Sequence, residues 1–288
     1  MKKVLQFLLV VLVYSILFMV ANAFLPFSEA FRVTSANVDP LSSMLALVVN
    51  SVFICFTISY LATNSDWRGA WRALGISFSV FMIASFMTQI ETLFFGDAFQ
   101  GLTKMDAEMI MLAPLLPIVV VTLLCGRFFG QKNSALPNVK LSISSLIARI
   151  AVLGLVYMAV YFIFGYFVAW KFEAVRLFYS GSTVDAGFLG QLQNNLNDQP
   201  IIYPFQVIRG ILFVSFLVPM LLMLYRKSKA KFVLAVCLVY LTTSIVLIIP
   251  NALFPDAVRW AHFIEMTSSM LLFGLISGFT LFNTKKSR

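Results

Sequence analysis

Long apolar runs separated by short polar stretches dominate the chain. A membrane-spanning helix needs about 20 mainly apolar residues. Eight runs reach that length, near positions 4–25, 41–62, 76–95, 107–126, 144–168, 201–224, 232–250 and 261–282. Each is built mostly from Leu, Ile, Val, Phe, Ala and Met, with little periodicity. That is the pattern of helices whose faces meet lipid or one another. The first run carries a second reading: MKK, an apolar stretch and ANA (21–23) have the layout of a secretory signal. Its core from Val4 to Val20 exceeds the 7–15 residues of a signal's apolar region, which favours a retained helix. The pattern predicts an all-α, polytopic transmembrane bundle of about eight spanning helices in a single domain, 1–288.

Composition supports a bilayer as the solvent. Of 288 residues, 60% are hydrophobic and 11% charged, where a soluble domain carries about 25% charged residues. The net charge of +9 is read by position. Lys2, Lys3, Arg68, Arg72, Arg127, Lys132, Lys140, Arg149, Arg226, Lys227, Lys229, Lys231, Lys285, Lys286 and Arg288 fall on one side of the eight-helix path. Arg32, Lys104, Lys171, Arg176, Arg209 and Arg259 fall on the other. The positive-inside rule then puts both termini in the cytoplasm. Trp67 and Trp71 at inner ends, and Trp170 and Trp260 at outer ends, suit interfacial belts. The basic charge reads as a topology signal and a contact for anionic lipids, as at YRKSKAK (225–231), with no nucleic-acid role. Cys55, Cys125 and Cys237 lie in separate apolar runs and read as buried apolar side chains.

Two outer segments are more than turns. In 96–109, Thr103 and Asp106 have capping-box spacing at the start of the fourth run. In 171–200, FLGQLQNNL suits a short amphipathic helix on the outer surface, read as decoration more than as a lid. GLISG (274–278) and GRFFG (126–130) match the small-residue pattern of close helix contact, within the chain or in a homo-oligomer.

Polar groups inside apolar runs are costly, about 2.5–3.5 kcal/mol per charge on insertion scales, and usually face the bundle interior. The candidates are Gln89 and Glu91 in the third run, Gln206 and Arg209 in the sixth, and His262 and Glu265 in the eighth, with Arg259 one turn above His262. At 1.5 Å per residue, Glu91 and Glu265 lie about 6 Å and Arg209 about 12 Å below the outer boundary. The three runs thus place ionisable groups in the same half of the membrane. Gln89 and Glu91, two residues apart, point to nearly opposite sides, and Glu91 is the choice for the interior. Arg209 needs an anion, which Glu91 or Glu265 can supply.

The cluster supports three readings. It is a site for a small polar solute or ion in a binding protein or transporter, with Pro114, Pro117 and Pro219 breaking helices. It is an intramembrane enzyme site with His262, Glu265 and Glu91 as zinc ligands. Or it is an ion-pair network that pins helices. The first is the preferred expectation. No HExxH, G-x-S-x-G or GxxxxGK[ST] motif points to a particular chemistry or cofactor. QIETLFF (89–95), FGYFVAW (164–170) and HFIEMTSSMLLFG (262–274) resemble motifs of an uncharacterised family of bacterial multi-pass inner-membrane proteins. The resemblance implies a bacterial inner-membrane location and brings no activity or site assignment.

Overall fold

The computed structural model describes residues 1–96, 99, 101–131, 141–251 and 253–283. Lys132, Lys140, Lys285, Lys286 and Arg288 of the basic set, and positions 97, 98 and 100 of the first polar outer segment, lie outside the described residues. Among the described residues, eight helical spans are long and apolar enough to cross a membrane. In order they are α1 (Lys2–Phe24), α3 (Pro40–Asn64), α4 to α5 (Gly69–Phe81 and Met87–Phe94), α6 to α7 (Lys104–Leu112 and Leu115–Phe128), α8 (Ile143–Phe167), α11 to α12 (Ile202–Ser215 and Val218–Met223), α13 (Lys229–Ile245) and α14 (Asp256–Phe282). The short helices α2 (Glu29–Ser35), α9 (Glu173–Ser180) and α10 (Gly187–Asp198) lie between spans. The all-α polytopic architecture expected from the hydropathy is the one observed. An even number of crossings returns the end of α14 to the side where α1 begins.

Two boundaries differ from the hydropathy reading. The third span starts at Gly69 instead of near 76, and the eighth at Asp256 instead of near 261. In each case an arginine sits inside the helix and breaks the apolar run. Arg72 is buried, and its guanidinium donates to the carbonyls of Gly126 (2.7 Å) and Gln131 (3.2 Å) at the end of α7. Arg259 does the same for the end of the seventh span, as described below. An arginine that satisfies free C-terminal carbonyls is stabilised by them and by the negative end of the helix dipole. The GRFFG glycines serve this arrangement: Gly126 and Gly130 lie directly against the Arg72 guanidinium.

The core sits around α13, whose span is 61% buried, while α1 at 22% is peripheral and presents Leu5, Leu8, Leu12 and Ile16 outward. The close contact implied by GLISG is intramolecular. A Cβ at Gly274 would lie 3.1 Å from the Cys237 Cα, and one at Gly278 would lie 3.0 Å from the Val233 Cα. The backbones of α14 and α13 therefore touch, as small residues permit in lipid.

Three spans are interrupted at membrane depth. The third contains a π turn, Met82–Phe86. The fourth breaks at Ala113–Pro114 and the sixth at Phe216–Leu217, three residues before Pro219. Such breaks free carbonyls that lipid cannot satisfy. The third span meets the need at both places. Ser85 Oγ, inside the π turn, donates to the Met111 carbonyl at 2.6 Å, and Ser79 Oγ donates to the Phe216 carbonyl at 2.8 Å. The three interruptions are thereby tied into one layer.

On the face with the basic loops, Asp66 pairs with Lys227 at 2.9 Å and accepts from the Arg226 N–H. Lys229 lies over the Phe279 ring. Two of the lysines in YRKSKAK are thus engaged by the protein itself.

Candidate functional site

A cavity of about 1520 Å³ occupies the other end of the bundle. Its lining comes from the appropriate end of every span: Phe18 and Asn22 from α1, Pro40 and Ser43 from α3, Thr88, Gln89, Glu91, Thr92 and Phe94 from α5 with Phe95 just beyond it, and Ile110 from α6. Tyr161, Gly165 and Tyr166 of α8, Ile202 of α11, Thr243 of α13, and His262, Glu265 and Met266 of α14 complete it. All eight spans thus contribute from the end opposite the basic loops, as the alternation inferred from charge requires.

Two helices outside the spans roof the cavity. On α9, Val175, Phe178 and Tyr179 share one face at i, i+3 and i+4 and turn inward. On α10, the FLGQLQNNL segment forms the expected helix but is not surface decoration. Phe188, Gln191, Leu192, Asn195 and Asp198 line the cavity, and Tyr203 Oη donates to the Leu192 carbonyl at 2.8 Å. The connection between them is clasped where Lys171 Nζ meets Asp185 Oδ2 at 2.7 Å and Tyr166 Oη donates to Asp185 Oδ1 at 2.9 Å. The Lys171 ammonium first, then the Gly187 N–H and the Tyr166 hydroxyl, hold the Asp185 carboxyl down at about 2. At the far rim the Thr103–Asp106 capping box forms as expected. Asp106 also accepts from the backbone N–H and hydroxyl of Ser28, both at 2.7 Å, which fastens the α2 N-terminus to α6.

The polar candidates divide into three groups. Arg209 is fully buried, and its Nη2 lies 2.6 Å from Glu91 Oε2 and donates to the Met87 carbonyl at 3.3 Å. Its Nη1 donates to Gln206 Oε1 at 2.9 Å. The rings of Tyr157, Phe205 and Phe213 surround it at 5.7–5.8 Å. Glycine makes this position possible: a Cβ at Gly210 would lie 2.9 Å from the Gly154 Cα, so α11 and α8 cross in backbone contact beside Arg209. Arg209 and Gln206 stand behind the cavity wall, and Glu91 reaches through it.

His262 and Glu265 form the second group. His262 Nδ1 is 3.8 Å from Glu265 Oε2, and Ser269 Oγ is 3.4 Å from Glu265 Oε1. The other ring nitrogen of His262 meets Tyr179 Oη at 3.1 Å. Burial, and then the charges of Glu91 and Glu265, push the Tyr179 phenol well above the usual tyrosine range, so it stays neutral. Sequence reasoning missed Tyr179, although the apolar i, i+3, i+4 stripe of α9 carried the signal. The ion pair expected between Arg209 and a carboxylate is made with Glu91. Glu265 has instead only the longer contacts to its helical neighbours His262 and Ser269.

Arg259 is a correction. It does not join His262 and Glu265 in the cavity wall. Its Nη1 donates to the carbonyls of Leu247 (2.9 Å) and Ile248 (3.1 Å), and its Nη2 lies 2.8 Å from Asp256. The seventh span ends there in a 3₁₀ turn, whose free carbonyls attract the nearest cation. Gln89 is a second correction. Gln89 and Glu91 both line the cavity, because Thr88, Gln89, Glu91, Thr92, Phe94 and Phe95 all do so. The cavity wraps around the end of α5, so opposite faces of that helix open into the same space. The zinc triad is a third. Among the described residues no three His, Cys, Asp or Glu side chains gather as a metal-ligating set, so His262, Glu265 and Glu91 do not form one.

Comparison with family models, with curated proteins and with solved structures returned no match. The functional reading therefore rests on the site itself.

Proposed function

We propose that this protein binds a polar or charged solute within the bilayer, in a cavity entered from the face opposite its basic loops. The observation that carries the reading is the gathering of Gln89, Glu91, His262 and Glu265 on one cavity of about 1520 Å³ that every span helps to line. Arg209 holds Glu91 in place from behind the wall, while His262 and Glu265 face the solute. A buried ion pair that only pinned helices would not need such a space beside it. The charge bias of the loops supports a cytoplasmic location for both termini. The resemblance of QIETLFF, FGYFVAW and HFIEMTSSMLLFG to bacterial multi-pass proteins supports an inner-membrane location.

Transport is the favoured use of the binding. The π turn and the two proline-associated breaks supply points where spans three, four and six can bend without exposing carbonyls. The test is a thermal-stability screen of the purified protein against cationic, anionic and neutral solutes, with Gly165→Trp as the control. Gly165 lines the cavity, and a Cβ there meets nothing within 4 Å, so the indole fills open space. A solute that stabilises the wild type and not the tryptophan variant is expected. A panel in which every compound acts on both proteins alike would refute cavity binding.

A further inference from the structure

We propose that the solute is an organic cation, seated with its charge at Glu265 and its apolar body against the rings of Phe95, Phe178, Tyr179 and Phe254. This rests on the cavity reading above and names the class of molecule the cavity takes. Four observations carry it.

The first is charge. Glu91 is matched by Arg209 at 2.6 Å. Glu265 is not matched in that way. Its side chain is only 9% exposed, and its polar neighbours stand at 3.4 Å (Ser269 Oγ) and 3.8 Å (His262 Nδ1). Charge-assisted hydrogen bonds run at about 2.5–2.9 Å. A desolvated carboxylate with only long contacts is the group in this site that gains most from a cation.

The second is the wall. Tyr179 and Phe254 flank His262 with ring centroids at 5.6 and 5.5 Å. Phe178 lies 5.9 Å from Phe254, and Phe95 lies 6.1 Å from Tyr179. Ring faces attract cations, most strongly where water is excluded.

The third is size. Drug-sized ligands occupy about 300–1,000 Å³, and the cavity exceeds that range. A bare metal ion would leave most of it unfilled, whereas an amine or onium compound with aromatic or aliphatic substituents uses both the carboxylate and the rings.

The fourth is the poor fit of an anion. It would face Glu265 and also Asp198 on the rim. Among the described lining residues the Lys and Arg class is represented by Arg32, whose Nη2 and Nε donate to the carbonyls of Leu25 and Phe27. Arg209 is fully buried behind the wall.

The experiment uses three probes of nearly one shape: tetraphenylphosphonium, tetraphenylborate and neutral triphenylphosphine oxide. Their binding to the full chain in lipid nanodiscs is measured by equilibrium dialysis against empty nanodiscs. Saturable binding of the phosphonium is expected, with the borate and the oxide at least about tenfold weaker, a difference of about 1.4 kcal/mol. Glu265→Gln should weaken the phosphonium by at least about tenfold as well, Glu265→Asp should restore part of it, and Gly165→Trp, which takes up part of the cavity, should weaken it. Should Glu265→Gln fail to fold, the preference of the wild type for cation over anion decides the matter alone. Binding of all three probes with equal affinity, weakened in Gly165→Trp, would overturn the cation assignment and leave the cavity reading standing. Saturable binding of none would overturn both.

Discussion

Replacing Arg209 with methionine removes one partner of a desolvated pair and leaves Glu91 facing apolar surroundings. Arg209 is fully buried, whereas the Glu91 side chain keeps 25% exposure through the cavity. Deleting one member of a buried pair costs about 3–5 kcal/mol, and access of the cavity to Glu91 places this case near 3 kcal/mol. Loss of the bonds to Gln206 and Met87 acts in the same direction, and retained packing of the methionine against Tyr157 and Phe213 opposes it. For a chain of this size about 3 kcal/mol corresponds to a fall of roughly 5–10 °C in apparent Tm. Pairing Arg209→Met with Glu91→Gln supplies the control. The double variant removes both charges, so it should recover about half of the loss, a coupling of at least about 1 kcal/mol. The assay is thermal unfolding in one detergent for all four proteins of the cycle. Additive effects, or a loss below about 1 kcal/mol in Arg209→Met, would show that Arg209 and Glu91 do not depend on each other.

Other outcomes follow from the same contacts. Ser85→Ala and Ser79→Ala each leave a carbonyl at a helix break without its hydroxyl donor, and each should cost about 1–2 kcal/mol in thermal unfolding; changes below the error of the measurement would mean the breaks are satisfied in another way. Gly278→Val places methyl groups against the Val233 backbone at 3.0 Å; it should lower stability by about 2 kcal/mol or more, whereas the same change at Gly165 should be tolerated. Asp185→Asn loosens the clasp on the α9–α10 connection and should speed proteolysis there. Because the Asp185 pKa is lowered from its ordinary value to about 2, its contribution is present at pH 4 and above and is lost as the pH falls toward 2. A wild-type connection that becomes protease-sensitive between pH 7 and 5 would contradict this.

The fold was legible to the degree that hydropathy records it. Eight runs became eight spans, and the capping box at Thr103 and Asp106 formed where its spacing placed it. The missed boundaries share one cause: Arg72 and Arg259 lie inside helices, and a composition window cannot tell a buried carbonyl-capping arginine from a loop arginine. That Arg209 would meet Glu91 or Glu265 was foreseeable because depth along a straight helix is a count of residues, but the two carboxylates share a depth and only the structure separates them. Rotation was harder to read. The π turn precedes Gln89 and Glu91, and a cavity that surrounds a helix end makes the choice between opposite faces irrelevant. The place of Tyr179 depends on how a loop helix folds over the bundle, a contact 83 residues away from His262 in sequence.

The central claim is that His262 and Glu265 face a cavity open on the side opposite the basic loops. Single cysteines placed in turn from position 259 to 270, in a variant with Cys55, Cys125 and Cys237 replaced, can be challenged with a membrane-impermeant maleimide from that side. Positions 262, 265 and 266, which line the cavity, should react. Position 264 should not, because Ile264 is exposed on the bundle exterior, where lipid lies. Position 259, buried against the carbonyls of the seventh span, should also stay silent. Reaction at 264 with silence at 262, 265 and 266, or labelling of those three only from the basic side, would contradict the claim.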